Sequence, residues 1–297
     1  MSVYSISDLE KLSGIKAHTI RIWEQRYEIL KPLRSEGNVR YYDDDQVRQF
    51  IQIALLVRNG YKISKICKLD NAAIYKMVED LTDESTDDIK TKLLVDRLIS
   101  VAIDFDEHSF QRIFQESINH YGMIATYEKV IYPMLVKIGL LWGKTELIPA
   151  QEHFISNLVK QKLYHSIDAL PPAPHGSKTW LLFLPEEEDH ELGLLLSSYI
   201  LRANNYRVIY LGQRVPYYNL KTVIEKIKPD YMQYFIVRYY SSETVQDLIS
   251  GMNHDFPEIT KCVSMSETLF QSIQLPKDHR YIKDIDHLLQ LIQSDKP

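Results

Sequence analysis

Two short stretches of this 297-residue chain carry groups able to hold a metal: Glu152-His153, separated from Trp142 by nine residues, and Glu188-Asp189-His190-Glu191-Leu192-Gly193. A neutral imidazole binds a transition metal through one ring nitrogen, and a carboxylate accepting from the other nitrogen fixes the tautomer and turns the ring. Glu188, two residues before His190, is a carboxylate of that kind. Gly193, with no β-carbon, would let a bulky ligand approach the chain closely. His153 offers a second imidazole for the opposite face of a metal, and Trp142 a flat apolar lid. An ordinary structural reading stands beside this one: Trp142 plugs a core and Glu152 complements a helix N-terminus. Cys67 and Cys262, the two cysteines, are far apart, which excludes a disulfide framework and a thiolate metal site.

These groups need elements to present them. From about Asn71 to Leu170 the apolar residues recur at helical spacing, as in Leu93/Leu94/Leu98/Ile99 and Val130/Ile131/Met134/Leu135/Ile138, so four or five helices packed as a bundle are expected over 71–168. A helix through Trp142 should stop at Gly143, and Pro149 should open the next one, placing Glu152 and His153 in its first turn. Pro171, Pro172, Pro174 and Gly176 then form a connector. Over 178–297 short apolar runs (Trp180 to Leu184, Arg207 to Leu211, Tyr234 to Val237, around Cys262-Val263, Tyr281-Ile282) alternate with helical segments, which predicts an α/β doubly wound parallel sheet of flavodoxin-like type. His190 would follow the first strand, at the end where such sheets bind ligands.

The first 70 residues have a different pattern. Ser5 to Leu12 reads as a short helix ending at Ser13-Gly14, and Ala17 to Tyr27 as a second one, burying Ile20 and Trp23 and turning His18, Thr19, Arg21 and Arg26 outward. Leu33-Arg34-Ser35 and Val39-Arg40-Tyr41-Tyr42 flank Glu36-Gly37-Asn38 as a hairpin. Arg34, Arg40 and the Tyr42 hydroxyl on this wing could meet phosphate oxygens. Asp43-Asp44-Asp45 caps a third helix.

Composition is that of an ordinary globular chain, 45% hydrophobic and 25% charged, with no apolar run long enough to span a bilayer. A cytoplasmic protein is expected. The net charge of −5 is unevenly spread: residues 1–69 hold twelve Lys/Arg and eight Asp/Glu, or +4, which leaves −9 for the rest. A basic head on an acidic body suits phosphate binding confined to the head. No nucleophile constellation, phosphate-cradling glycine loop or HExxH pairing points to an enzyme.

The order Thr19-Ile20-Arg21, Arg26-Tyr27, Leu30, Pro32, Arg40-Tyr41-Tyr42 closely resembles the MerR family of transcriptional regulators over about residues 3–69. That resemblance implies double-stranded DNA as partner, at promoters where RNA polymerase is a further partner, and DNA contacts from Thr19, Arg21, Tyr27, Arg34, Arg40 and Tyr42; His18 and Arg26, on the outward face of the second helix, are further candidate DNA contacts, and a homodimer or higher homo-oligomer is expected because one winged helix covers only a half-site. Trp142 followed by Glu152-His153, over about 100–163, resembles the helical cap of the light-responsive, cobalamin-dependent MerR regulators. Glu188/His190/Gly193 resembles the Asp-x-His-x-x-Gly signature of cobalamin-binding domains, with Glu in place of Asp. By this likeness cobalamin is the cofactor, His190 its cobalt ligand, and Trp142, Glu152, His153, Glu188 and Gly193 line its site; with Gly143 after Trp142, His153 is the candidate second imidazole. The pattern departs downstream. Where the family has Ser or Thr after the third strand and Gly-Gly after the fourth, beside the cofactor's nucleotide tail, this chain has Ile236-Val237-Arg238-Tyr239-Tyr240 and Ser264-Met265-Ser266. A regulator with a cofactor-free rear half used for protein contacts is the alternative. A corrinoid carrier for methyl transfer shares the rear architecture but has no need of the winged head.

Overall fold

The computed structural model describes residues 4–34, 40–84, 87–142, 149–238 and 241–295. The chain divides into two compact units, residues 1–158 and 159–297.

In the first unit, α1 (Ile6–Ser13) begins at a Ser5/Asp8 capping box and ends at Gly14, whose φ of 72° a side chain would resist. α2 (Ala17–Tyr27) follows, and β1 (Leu33–Arg34) pairs antiparallel with β2 (Arg40–Tyr41), as the hairpin reading requires. The expected turn, Glu36-Gly37-Asn38, lies outside the described residues. Tyr4 and Tyr42 exchange two backbone hydrogen bonds of 2.9 Å, which ties the wing to the chain's start. α3 (Asp44–Arg58) is capped by an Asp43/Gln46 box and buries Val47, Phe50, Ile51 and Ala54. Trp23 is core, as its spacing implies, its ring 6.2 Å from that of Phe50.

Beyond α4 (Ile63–Ile66) the chain is helical: α5 (Asn71–Glu84), α6 (Asp87–Asp104), α7 (Glu107–Thr126), a π-helical turn (Tyr127–Ile131), α8 (Tyr132–Trp142) and α9 (Pro149–Asp168). Leu93, Leu94, Leu98, Phe110, Val130, Met134 and Ile138 are almost fully buried, the face that their spacing marks. Gly122, at φ 74° and ψ 169°, kinks α7. Asp96 on α6 is buried between Arg58 of α3 and Lys137 of α8, which fastens the head to the helices behind it. Removing either cation would leave a charge short of partners in a dry site.

The second unit holds β3 (Thr179–Phe183), α10 (Leu192–Ala203), β4 (Arg207–Gly212), α11 (Tyr217–Ile227), β5 (Tyr231–Ile236), α12 (Ser242–Asp255), β6 (Thr260–Met265), α13 (Glu267–Gln271), β7 (His279–Tyr281) and α14 (Ile285–Ser294). The strands are parallel in the order β4-β3-β5-β6-β7, the flavodoxin-like order. All five residues of β3 are buried, as a central strand covered on both faces must be. One face packs Leu181, Phe183, Met232, Tyr234, Ile236 and Val263 against Leu220, Val245, Ile249 and Met252. The chain order reverses between β3 and β5, so a crevice opens at their C-terminal ends.

Candidate functional site

The loop from β3 to α10 enters that crevice and carries Glu188 and His190. Glu188 is fully buried, yet every hydrogen-bonding neighbour found for its carboxylate donates to it. Oε1 accepts from the backbone N–H of Asp189 and of His190, both at 3.0 Å, and lies 2.5 Å from His190 Nδ1. Oε2 accepts from the N–H of Val237 at 2.8 Å and of Arg238 at 2.7 Å, just past β5. Burial alone would raise the Glu188 pKa, but the bonds from the His190 ring and from the Arg238, His190 and Val237 backbone outweigh it and bring it down to about 2. Glu188 is therefore a carboxylate at neutral pH. Its Oε1 accepts from His190 Nδ1, which fixes the orientation of the ring, and the His190 side chain is 57% exposed. Among the described residues no group of three His, Cys, Asp or Glu could hold an ion.

Gly193 does not keep open the space expected of it. A β-carbon there would lie 2.7 Å from Cε1 and 3.2 Å from Cδ1 of Phe235, so the glycine at the start of α10 serves the close approach of a phenyl ring from β5. The expectation that Gly193 leaves room for a macrocycle is corrected on that ground. Tyr239 and Tyr240, expected to crowd the same region, lie outside the described residues.

In the first unit, Glu152 and His153 occupy the first turn of α9, as Pro149 predicts. Glu152 accepts from Ser156 Oγ at 2.5 Å and lies 2.9 Å from His153 Nδ1, and the His153 side chain is 71% exposed. The backbone of Trp142 closes α8; its side chain and residues 143–148 are outside the described residues.

On the head, His18, Arg21 and Arg26 are exposed along α2, with Thr19 and Tyr27 half-buried. Arg26 lies over the Tyr27 ring, 5.5 Å from its centre. Arg34 stands on β1, its side chain outside the described residues. Tyr42 must be corrected: it is fully buried, and its hydroxyl donates to Glu24 rather than facing a phosphate. Burial and the Glu24 carboxylate push its pKa well above the ordinary tyrosine value. Arg40 lies with its Nε 3.5 Å from the other Glu24 oxygen.

Sequence reasoning passed over Glu24, although its place four residues after Ile20 put it on the buried side of α2. It also passed over Glu191, buried beside His190, which accepts from Tyr210 at 2.9 Å and Tyr164 at 3.1 Å and pairs with Lys160 at 3.3 Å. Only spatial neighbours separated by 19 to 31 residues reveal that role.

Residues 4–72 match the family model described as MerR HTH family regulatory protein, and residues 94–166 match the one described as B12 binding domain. The chain is 28% identical over 261 residues to the HTH-type transcriptional repressor CarH of Myxococcus xanthus, covering 86% of this chain and 85% of CarH. It is 28% identical over 240 residues to the repressor CarA of the same organism, covering 80% of this chain and 78% of CarA. Among solved structures, a monomethylamine corrinoid protein of Methanosarcina barkeri superposes with a TM-score of 0.54 at 13% identity, over 69% of this chain and 100% of that one, a likeness of fold.

Proposed function

We propose, for a chain homologous to CarH and CarA that joins a MerR-type head to a B12-binding-type module, that it is a DNA-binding transcriptional regulator whose rear half takes a corrinoid. The observation that carries the corrinoid reading is Glu188 beneath His190: a buried, ionised carboxylate accepts from Nδ1 and orients the imidazole, leaving Nε2 as the nitrogen that would bind cobalt. A corrin, when bound, would supply a cobalt able to take a nitrogen base as ligand. His190 would be that base in the second unit; in the first, Trp142, Glu152 and His153 are proposed as cofactor contacts on the resemblance of the helical segment alone. On the head, His18, Thr19, Arg21, Arg26, Tyr27, Arg34 and Arg40 are the proposed DNA contacts. One winged helix covers a half-site, so a homodimer or higher homo-oligomer would bind an operator at promoters used by RNA polymerase. Corrinoid state would shift promoter affinity only as far as the corrinoid binds one assembly better than another.

The test is the visible spectrum of the full chain after gel filtration with adenosylcobalamin or cobinamide. Retained corrin absorption that changes in His190→Ala supports the reading, and its absence with both corrinoids overturns it. The Phe235 ring over Gly193 favours a second reading, in which the rear half holds no corrinoid and serves protein contacts. A chain that elutes without corrin but keeps salt-sensitive DNA binding would establish that one.

A further inference from the structure

Phe235 points to the kind of corrinoid this chain would accept, an inference that rests on the corrinoid reading. The alternation along β5 puts Phe235 on the same face as Gln233, and the register places it beside Ser264 of β6. On that face its ring lies against the second residue of α10, with 2.7 Å between Cε1 and the point where a Gly193 β-carbon would be. Helix and strand are therefore in contact three residues from His190. Two residues deeper, Gln233 is fully buried with neither amide atom hydrogen-bonded, so the ring shuts a polar side chain away from the crevice.

The chemistry of cobalamin makes this contact matter. Its lower face carries a nucleotide tail ending in a benzimidazole that itself binds cobalt. Two nitrogen bases cannot share one axial position, so an imidazole from His190 would have to displace the benzimidazole, and the displaced tail would need a slot beside His190. The Phe235 ring occupies the space between α10 and β5 at Gly193, three residues from His190. Cobinamide has the same corrin and cobalt but no nucleotide, and would need no slot.

We propose that Phe235 is a specificity residue that closes the tail slot and makes this chain prefer corrinoids lacking the nucleotide tail. Cobinamide should bind roughly tenfold or more tightly than cobalamin. Phe235→Ala, which opens a path to the Gln233 amide, should bring the two affinities to within about threefold.

The experiment titrates the full chain with aquocobinamide and with hydroxocobalamin, reads the visible absorption change, and subtracts the change seen with His190→Ala. Phe235→Leu, a smaller but still apolar side chain, is run beside Phe235→Ala and should narrow the gap in the same direction, so a poorly folded alanine variant leaves the test intact. A wild-type preference for cobinamide that shrinks in these variants supports the proposal. Equal His190-dependent binding of both corrinoids by the wild type overturns it and leaves the corrinoid reading standing. No His190-dependent change with either corrinoid overturns the corrinoid reading, and this proposal with it.

Discussion

His190 Nδ1 lies 2.5 Å from Glu188 Oε1, and the same buried carboxylate gathers four backbone N–H groups, two from the β3–α10 loop and two from just past β5. A carboxylate only accepts, whereas an amide would turn an NH2 group toward donors. Glu188→Gln should therefore cost about 2–4 kcal/mol in urea unfolding and loosen the His190 ring. The pH dependence has a definite sign. A carboxyl lowered from 4.5 to about 2 contributes its stability fully above pH 4.5 and loses it as pH falls toward 2. That contribution is roughly 3 kcal/mol. Unfolding midpoints between pH 2 and 6 should show this slope in the wild type and a shallower one in Glu188→Gln; equal slopes would remove Glu188 as its source.

Much of this arrangement was legible in the sequence, and the reason is local. Glu188 and His190 are two residues apart, and β3 reads as a buried run, so carboxylate, imidazole and strand end could be placed together from one window. Asp43, Gly14 and Pro149 likewise announce helix boundaries through their own backbone chemistry. What could not be read depends on pairs distant in the chain. Phe235 meets Gly193 across 42 positions, and nothing in either neighbourhood says which of α10's contacts takes the glycine's missing β-carbon. Tyr42 misled for the same reason: a tyrosine on a wing looks like a phosphate contact until Glu24, 18 residues earlier, is found beneath its hydroxyl.

The Gly193–Phe235 contact has a stability signature separate from any ligand. Alanine at a helical glycine ordinarily gains up to about 1 kcal/mol. Here the β-carbon would meet the ring at 2.7 Å, and Gly193→Ala should instead destabilise by about 1–3 kcal/mol. In combination with Phe235→Ala the alanine at 193 should be tolerated, giving a coupling of roughly 1–2 kcal/mol in a double-mutant cycle by chemical denaturation. Additive losses would mean that the ring simply turns aside.

Tyr42→Phe separates a structural wing residue from a DNA contact. It leaves the buried Glu24 oxygen without its hydroxyl donor and should cost about 1–3 kcal/mol of stability. For the folded fraction, operator affinity should not change, because the Tyr42 hydroxyl is spent on Glu24 and reaches no phosphate. Arg21→Ala should behave in the opposite way, with stability nearly unchanged and the log–log salt slope reduced by about 1. Weaker operator binding by folded Tyr42→Phe would restore Tyr42 to the DNA surface.

Asp104, the last residue of α6, joins the helices to the head through Arg48 of α3 at 2.6 Å, beside a cleft of about 450 Å³ that Asp45, Ser100 and Asp106 also line. Burial pushes its carboxyl up from 3.8 to about 6; Arg48 pulls the other way, and the Asp45 and Asp106 charges add to the rise. A carboxyl raised in the folded state is ionised at a cost, so its penalty is complete above pH 6 and relieved as pH falls from 6 toward 4. Asp104→Asn removes the penalty but also the ion pair with Arg48, and the two losses separate with pH. Relative to the wild type, the variant should be most stable near pH 8 and lose about 1–2 kcal/mol of that advantage by pH 5. Thermal midpoints of both chains across that range provide the check. A difference independent of pH would show that Asp104 stays ionised throughout and that Arg48, rather than burial, sets its state.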